Sequence, residues 1–136
     1  MARRIIIDCD PGQDDAVALL LAFASPELDV LGITTVGGNV PLALTHRNAR
    51  MMCDIAGSNV PVFAGCDKPM QRPLRTAEYI HGETGIDGID VFEPETPLQT
   101  QHPLGNCRFD QLIGHIRVEL RAVDATQQPQ FRVGFR

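Results

Sequence analysis

Ile5-Ile6-Ile7-Asp8-Cys9-Asp10-Pro11-Gly12-Gln13-Asp14-Asp15-Ala16 is the stretch from which the rest of the chain can be read. Three β-branched residues run into four carboxylates interrupted by Pro-Gly, and an apolar helical pattern follows at once. A continuous apolar run ending in a turn predicts a strand over Arg4–Asp8, buried on both faces as in a parallel sheet. Pro11-Gly12 makes the turn. Asp14 or Asp15 then caps, or sits in the first turn of, a helix running through Ala16–Ala24, where a carboxylate meets the positive end of the helix dipole. Ser25-Pro26 stops that helix, whose Leu-rich body reads as core.

The carboxylates Asp8, Asp10, Asp14 and Asp15 repel one another unless a cation or strong hydrogen-bond donors neutralise them. No Lys or Arg lies between Arg4 and Arg47 to do so locally. An Asp-rich turn with a helix cap accounts for Asp14 or Asp15, but not also for Asp8 and Asp10 on one face of a strand. The cluster therefore predicts a metal or catalytic centre. Oxygen ligands without a His or Cys cluster favour a hard cation, Ca²⁺ or Mg²⁺, over Zn²⁺. Cys9, between two aspartates, is a poor nucleophile because neighbouring negative charge disfavours its thiolate.

Outward from this stretch the pattern repeats. Leu28–Val36 predicts a second strand, followed by the loop Gly37-Gly38-Asn39. Pro41 opens a helix carrying Leu42, Leu44, Ala49, Met52 and Ile55, which Gly57 closes. Val60–Ala64 predicts a third strand, ended by Gly65. This β-α-β-α-β order, with short connections, predicts an α/β fold: a Rossmann-like, doubly wound, mostly parallel sheet. Ligands of such sheets bind at the carboxyl ends of the strands. Asp8 and Asp10, Asn39, and Gly65-Cys66 all fall there, so three loops are expected to meet at one rim. Asn39 on its own reads as a turn residue, and His81 on its own as a surface histidine. Residues 67–102 form a loop-rich stretch centred on His81-Gly82-Glu83-Thr84-Gly85-Ile86-Asp87-Gly88, whose glycines permit tight turns and close backbone approach to a ligand.

The totals narrow the class. With 136 residues, 43% hydrophobic and 21% charged, the chain suits one soluble domain with a modest core. A net charge of −5 argues against binding nucleic acid through a basic surface. The apolar run 16–24 is too short to span a bilayer, and no signal peptide precedes the first Asp, so neither membrane nor export is expected. Cys9, Cys53, Cys66 and Cys107 show no C-x-x-C spacing and read as reduced thiols of a cytoplasmic protein.

Asp8-Cys9-Asp10-Pro11-Gly12-Gln13-Asp14-Asp15-Ala16 closely resembles the N-terminal signature of the inosine-uridine-preferring nucleoside hydrolases. Thr34-Thr35-Val36-Gly37-Gly38-Asn39 resembles that family's second loop, and His81–Gly88 its third, in the form of the pyrimidine-preferring branch. The resemblance covers about residues 3–102. It implies the nucleoside hydrolase fold and hydrolysis of the N-glycosidic bond of ribonucleosides to ribose and free base, in nucleoside catabolism and salvage. It implies a Ca²⁺ held by Asp10 and Asp15, with Asp10 also the base that takes a proton from the water. Asp14 and Asn39 match residues that hold the ribose hydroxyls. His81 matches a histidine at the nucleobase end, in substrate binding and in assisting the leaving group. The family habit is homo-oligomeric.

Beyond Gln101-His102 the resemblance stops, dividing the chain into 1–102 and a non-matching tail, 103–136. The tail carries net charge +2 against −7 for the rest, and offers no obvious fourth strand–helix unit. A truncated or frame-shifted product, with an incomplete sheet and a disordered tail, is the expectation. Two alternatives accompany the hydrolase reading. The D-x-D at a strand end is compatible with a haloacid-dehalogenase-type phosphatase using Asp8 as nucleophile and Asp10 as acid/base, although Pro11-Gly12-Gln13-Asp14-Asp15 replaces that family's Gly-Thr continuation. The other alternative is a non-catalytic fragment.

Overall fold

The computed structural model describes residues 1–100. Strand β1 (Arg3–Cys9) leads through the Pro-Gly turn into helix α1 (Gln13–Ala24), and β2 (Leu28–Thr35) follows. Helix α2 (Leu42–Ala56), strand β3 (Val62–Ala64), the short helix α3 (Glu78–His81) and strand β4 (Leu98–Gln99) complete the order. The strands lie side by side as β1-β2-β3-β4, all parallel. Arg3 pairs with Leu28 and Cys9 with Thr35, with an irregularity between Ile5 and Ile6. The α/β reading with a parallel sheet is therefore correct. The described part is the one-directional portion of such a sheet. Right-handed crossovers between successive neighbours place α1 and α2 on one face, where they pack on each other and on β2.

Two burial expectations need correction. In β1 only Cys9 is buried, the isoleucines are half-buried and the two arginines exposed, so among the described residues the strand is not covered on both faces. Helix α1 is apolar all round, yet only Ala16, Leu19 and Ala22 are buried. That three-residue spacing is the single stripe facing the sheet and α2, the neighbours that pack on it among the described residues. The core gathers Leu19, Ile33, Ala49, Met51, Met52, Cys53, Val62 and Ile86.

Helix α2 ends as its sequence demands. Gly57 adopts φ 61° and ψ 30°, the left-handed conformation in which a side chain would be strained. Elements α3 and β4 lie inside the stretch expected to be loop, because four and two residues carry no measurable periodicity. Strand β4 is held from α2 instead. Arg50 Nε donates to the Thr96 carbonyl at 2.6 Å and its Nη2 to that of Pro94 at 3.0 Å. One helical turn on, the Asp54 carboxylate accepts the N–H groups of Glu95 and Thr96 at 2.6 and 3.0 Å.

The described residues belong to the compact unit Met1–Pro103, and the expected tail 103–136 lies outside them. Among the described residues no helix is long and apolar enough to cross a membrane.

Two leucines of α1 test this packing, since Leu19 is 1% exposed and Leu21 69%. Leu19→Ala is expected to destabilise the chain by about 2–5 kcal/mol, and Leu21→Ala by no more than about 0.5 kcal/mol. Urea unfolding of both variants measures the difference.

Candidate functional site

Three loops leave the carboxyl ends of the first three strands, and hydrogen bonds tie them into one rim. Asp10 stands just past β1, and its Oδ2 accepts the Asn39 backbone N–H at 2.7 Å. The Asn39 side chain returns the contact, Nδ2 donating to the Asp10 carbonyl at 2.9 Å. The Asn39 carbonyl accepts the N–H of Ala77, the residue before α3, at 2.8 Å. Asn39 thus joins the first loop to the second and the second to the third.

Glycines make this closeness possible. A Cβ at Gly38 would collide with the Asp10 carboxylate, and one at Gly12 would stand 2.6 Å from His81 Nδ1. Neither glycine has a positive φ, so the requirement at both is space. At the strand ends, Cys9 passes its carbonyl to the Val36 N–H, and Gly37 donates to the Cys66 carbonyl at 2.9 Å.

The four aspartates separate into distinct roles. Asp8 is tied to β2, its Oδ1 accepting the Thr34 hydroxyl at 2.5 Å. Asp14 is exposed on the first turn of α1. Neither Asp14 nor Asp15 caps the helix, whose N-cap is Gly12 with no side-chain bond. Asp15 reaches back instead, its Oδ2 accepting the Asp10 N–H at 3.2 Å. Burial, and then the charge of Asp10, push the Asp15 carboxyl above the ordinary carboxylate range. The Asp10 N–H and the charge of His81 oppose that rise without cancelling it. Burial, followed by the charges of Asp15, Asp8 and Asp10, raises the Cys9 thiol far above its ordinary value, so Cys9 is inert as a nucleophile.

His81 closes α3 beside the Pro-Gly turn, half-buried, its Nδ1 2.6 Å from Gln13 Oε1. The structure therefore brings Asp10, Asp15, Asn39 and His81 to one rim, with Asp14 on the adjoining helix turn. Gly65-Cys66 joins through its hydrogen bond to Gly37.

Asn48 and Gln13 escaped the sequence reading. Asn48 is fully buried on α2, its Nδ2 donating to the Pro11 carbonyl at 3.1 Å and to that of Thr84 at 2.9 Å. It links the first and third loops from below. Its signal was available: an amide on the buried stripe Thr45, Asn48, Ala49, Met52 must find partners, and the nearby loops supply them to its NH₂ end, while its Oδ1 finds none among the described residues. Gln13 carried no signal of its own, since its partner is 68 residues away.

Residues 5–128 match the sequence profile described as inosine-uridine preferring nucleoside hydrolase. The chain belongs to that family. It is 58% identical over 117 residues to the inosine-uridine preferring nucleoside hydrolase of Crithidia fasciculata, covering 85% of this chain and 37% of that one. It is 51% identical over 94 residues to the pyrimidine-specific ribonucleoside hydrolase RihB of Escherichia coli, covering 69% and 30%. Among solved structures, a plant nucleoside hydrolase superposes with a TM-score of 0.75 at 31% identity, over 84% of this chain and 36% of that one. The purine-preferring ribonucleoside hydrolase of Gardnerella vaginalis gives 0.67 at 27% identity, over 82% and 35%. The chain thus spans about a third of the length of these relatives. The family match also runs past residue 102, where the legible motifs end.

The raised Asp15 carboxyl has a measurable consequence. A group whose pKa is higher in the folded than in the unfolded chain holds its proton longer when folded, so stability falls as pH rises from the unfolded value through the folded one. Asp15→Asn keeps an oxygen acceptor for the Asp10 N–H and removes the charge. The variant is expected to unfold at a higher temperature than the unsubstituted chain at neutral pH in chelator. The gap should close as pH drops below the ordinary carboxylate range. Thermal melts at several pH values measure it.

Proposed function

We propose that the chain carries the catalytic rim of a ribonucleoside N-glycosidase, which hydrolyses the bond between ribose and base. The observation that carries this reading is the meeting of Asp10, Asp15, Asn39 and His81 at one rim, in a chain of the nucleoside hydrolase family. Cleavage of a glycosidic bond develops positive charge on the sugar. Carboxylates fixed by hydrogen bonds beforehand stabilise such charge without reorganising. Asp10 is held in this way by Asn39, and Asp14, exposed on the first turn of α1, would meet the ribose hydroxyls.

Asp10 and Asp15 form the cation site of this proposal. The donor set fits a hard cation in kind: two carboxylates share one turn, and the burial that lifts the Asp15 carboxyl leaves its charge short of compensation. Ca²⁺ is the proposed ion; when bound it lowers the pKa of a water and orients the ribose diol. Asp10 would accept the proton from that water, Asn39 would hold a ribose hydroxyl, and His81 would face the nucleobase. Uridine is the proposed substrate. It suits the pyrimidine form of the third loop, and it agrees with the names of both the Crithidia and the Escherichia coli relatives. A cytoplasmic location is part of this proposal, supported by the free, buried Cys9 and Cys53 thiols, which suit a reducing compartment.

The phosphatase alternative gains nothing, because Asp8 is engaged by Thr34 of the neighbouring strand. A second reading does have an observation behind it. Among the described residues no group of three His, Cys, Asp or Glu side chains is arranged to hold a metal. A rim with only part of a ligand set, in a chain about a third of the length of its relatives, would hold an ion weakly and lack turnover.

Ribose release from uridine and inosine in the presence of Ca²⁺ separates the two readings. Hydrolysis is expected, faster with uridine, and Asp10→Asn should lower it by about 10²-fold or more, the scale of a lost general base. Release equal in the chain and in Asp10→Asn, or absent from both, would remove the activity from this chain.

A further inference from the structure

Gln13 makes two contacts with one distant residue. Its Nε2 lies 3.4 Å from the His81 backbone carbonyl, and its Oε1 lies 2.6 Å from His81 Nδ1. These contacts orient the amide unambiguously. A carbonyl oxygen can only accept, so the NH₂ end must face it, which turns the amide oxygen to the ring. That oxygen also can only accept, so Nδ1 must carry the proton. Gln13 is the first residue of α1, and a helix anchored in the core gives its side chain a fixed origin. Gly12 leaves room for the ring, since a Cβ there would come within 2.6 Å of Nδ1 and 2.8 Å of Cε1.

We propose that Gln13 is a positioning residue for His81, holding its imidazole as the Nδ1–H tautomer so that Nε2 is the ring nitrogen presented to a bound nucleoside. The nucleoside half of this statement rests on the function proposed above; the tautomer half rests on geometry alone. The neutral ring then offers a lone pair at Nε2, and the imidazolium offers an N–H there. When the glycosidic bond breaks, its electron pair leaves with the base. A proton passing from Nε2 to that base leaves a neutral Nδ1–H ring that is already hydrogen-bonded to Gln13. No ring flip or proton shift within the imidazole is needed. The acidic signature thus has a second task besides the cation: Gly12-Gln13 builds the seat of the histidine brought in by the third loop.

Long-range proton–nitrogen NMR correlations on the full chain, labelled at histidine, read the tautomer directly. The measurement is made above the ordinary histidine titration range, where the rings are neutral. His81→Gln identifies the His81 signals among the four histidines. In the unsubstituted chain, His81 is expected to show a protonated Nδ1 and an unprotonated Nε2. Gln13→Met, similar in length but without the acceptor, should move His81 toward the Nε2–H form that an unconstrained histidine side chain prefers. Gln13→Glu keeps an acceptor oxygen and should retain the Nδ1–H form. An Nε2–H form in the unsubstituted chain, or an unchanged tautomer in Gln13→Met, overturns the assignment. Added uridine should shift the Nε2 resonance. If the tautomer follows Gln13 but Nε2 ignores uridine, the positioning role stands and the presentation to a nucleoside falls.

Discussion

The reciprocal pair of hydrogen bonds between Asp10 and Asn39 is the constraint on which this structure depends. One is charge-assisted, a backbone N–H on a carboxylate, a class worth about 1.5–3 kcal/mol. The other fixes the Asn39 side chain against the Asp10 backbone, so neither residue can turn without displacing its partner's loop. Because the Asn39 carbonyl also receives Ala77, the third loop inherits its position from the same contact. Asn48 supports the arrangement from beneath with two further bonds to loop carbonyls, and Ile86 anchors the third loop in the core. The rim is built mainly from loop backbone groups that would otherwise lack partners, which explains why its geometry is specific although few of its residues lie in regular elements.

A second constraint works against stability. Asp15 is drawn into a part-buried position beside Asp10, where burial and like charge both disfavour its ionised form. Sites that keep such a conflict are commonly functional, because a bound charge resolves it. Under the proposed function the conflict has a purpose: a cation would satisfy both carboxylates, and a sugar developing positive charge would be stabilised by them. Asp8 accepts the Thr34 hydroxyl instead, and Asp14 is exposed.

Much of the fold was legible because its signals are local. Ile5–Ile7, the Pro-Gly turn, Pro41 and Gly57 each mark a boundary through backbone chemistry that holds in any surroundings. The meeting of the first two loops followed from topology, since parallel strands deliver their carboxyl ends to one side. The illegible parts are those fixed by tertiary context. Elements α3 and β4 are too short to show a period, and β4 exists because Arg50 and Asp54 of α2 seize the backbone leading into it. The exposed Val17 and Leu21 look identical in sequence to the buried Leu19, because an all-apolar helix does not reveal which stripe it buries. Of the four aspartates, sequence showed that they conflict, and only the Thr34 and Asp10 contacts showed how the conflict is divided.

The proposed cation site is Asp10, held by the second loop through Asn39, with Asp15, which accepts the Asp10 N–H. The most direct measurement is a Ca²⁺ titration of the full chain followed by the backbone amide resonances of Asp10 and Asn39, whose N–H groups rest on the two carboxylates in question. Saturable shifts are expected at these two amides, abolished in Asp10→Asn and in Asp15→Asn. Shifts confined to exposed acidic residues elsewhere, or shifts at Asp10 and Asn39 that survive both substitutions, would contradict the proposal.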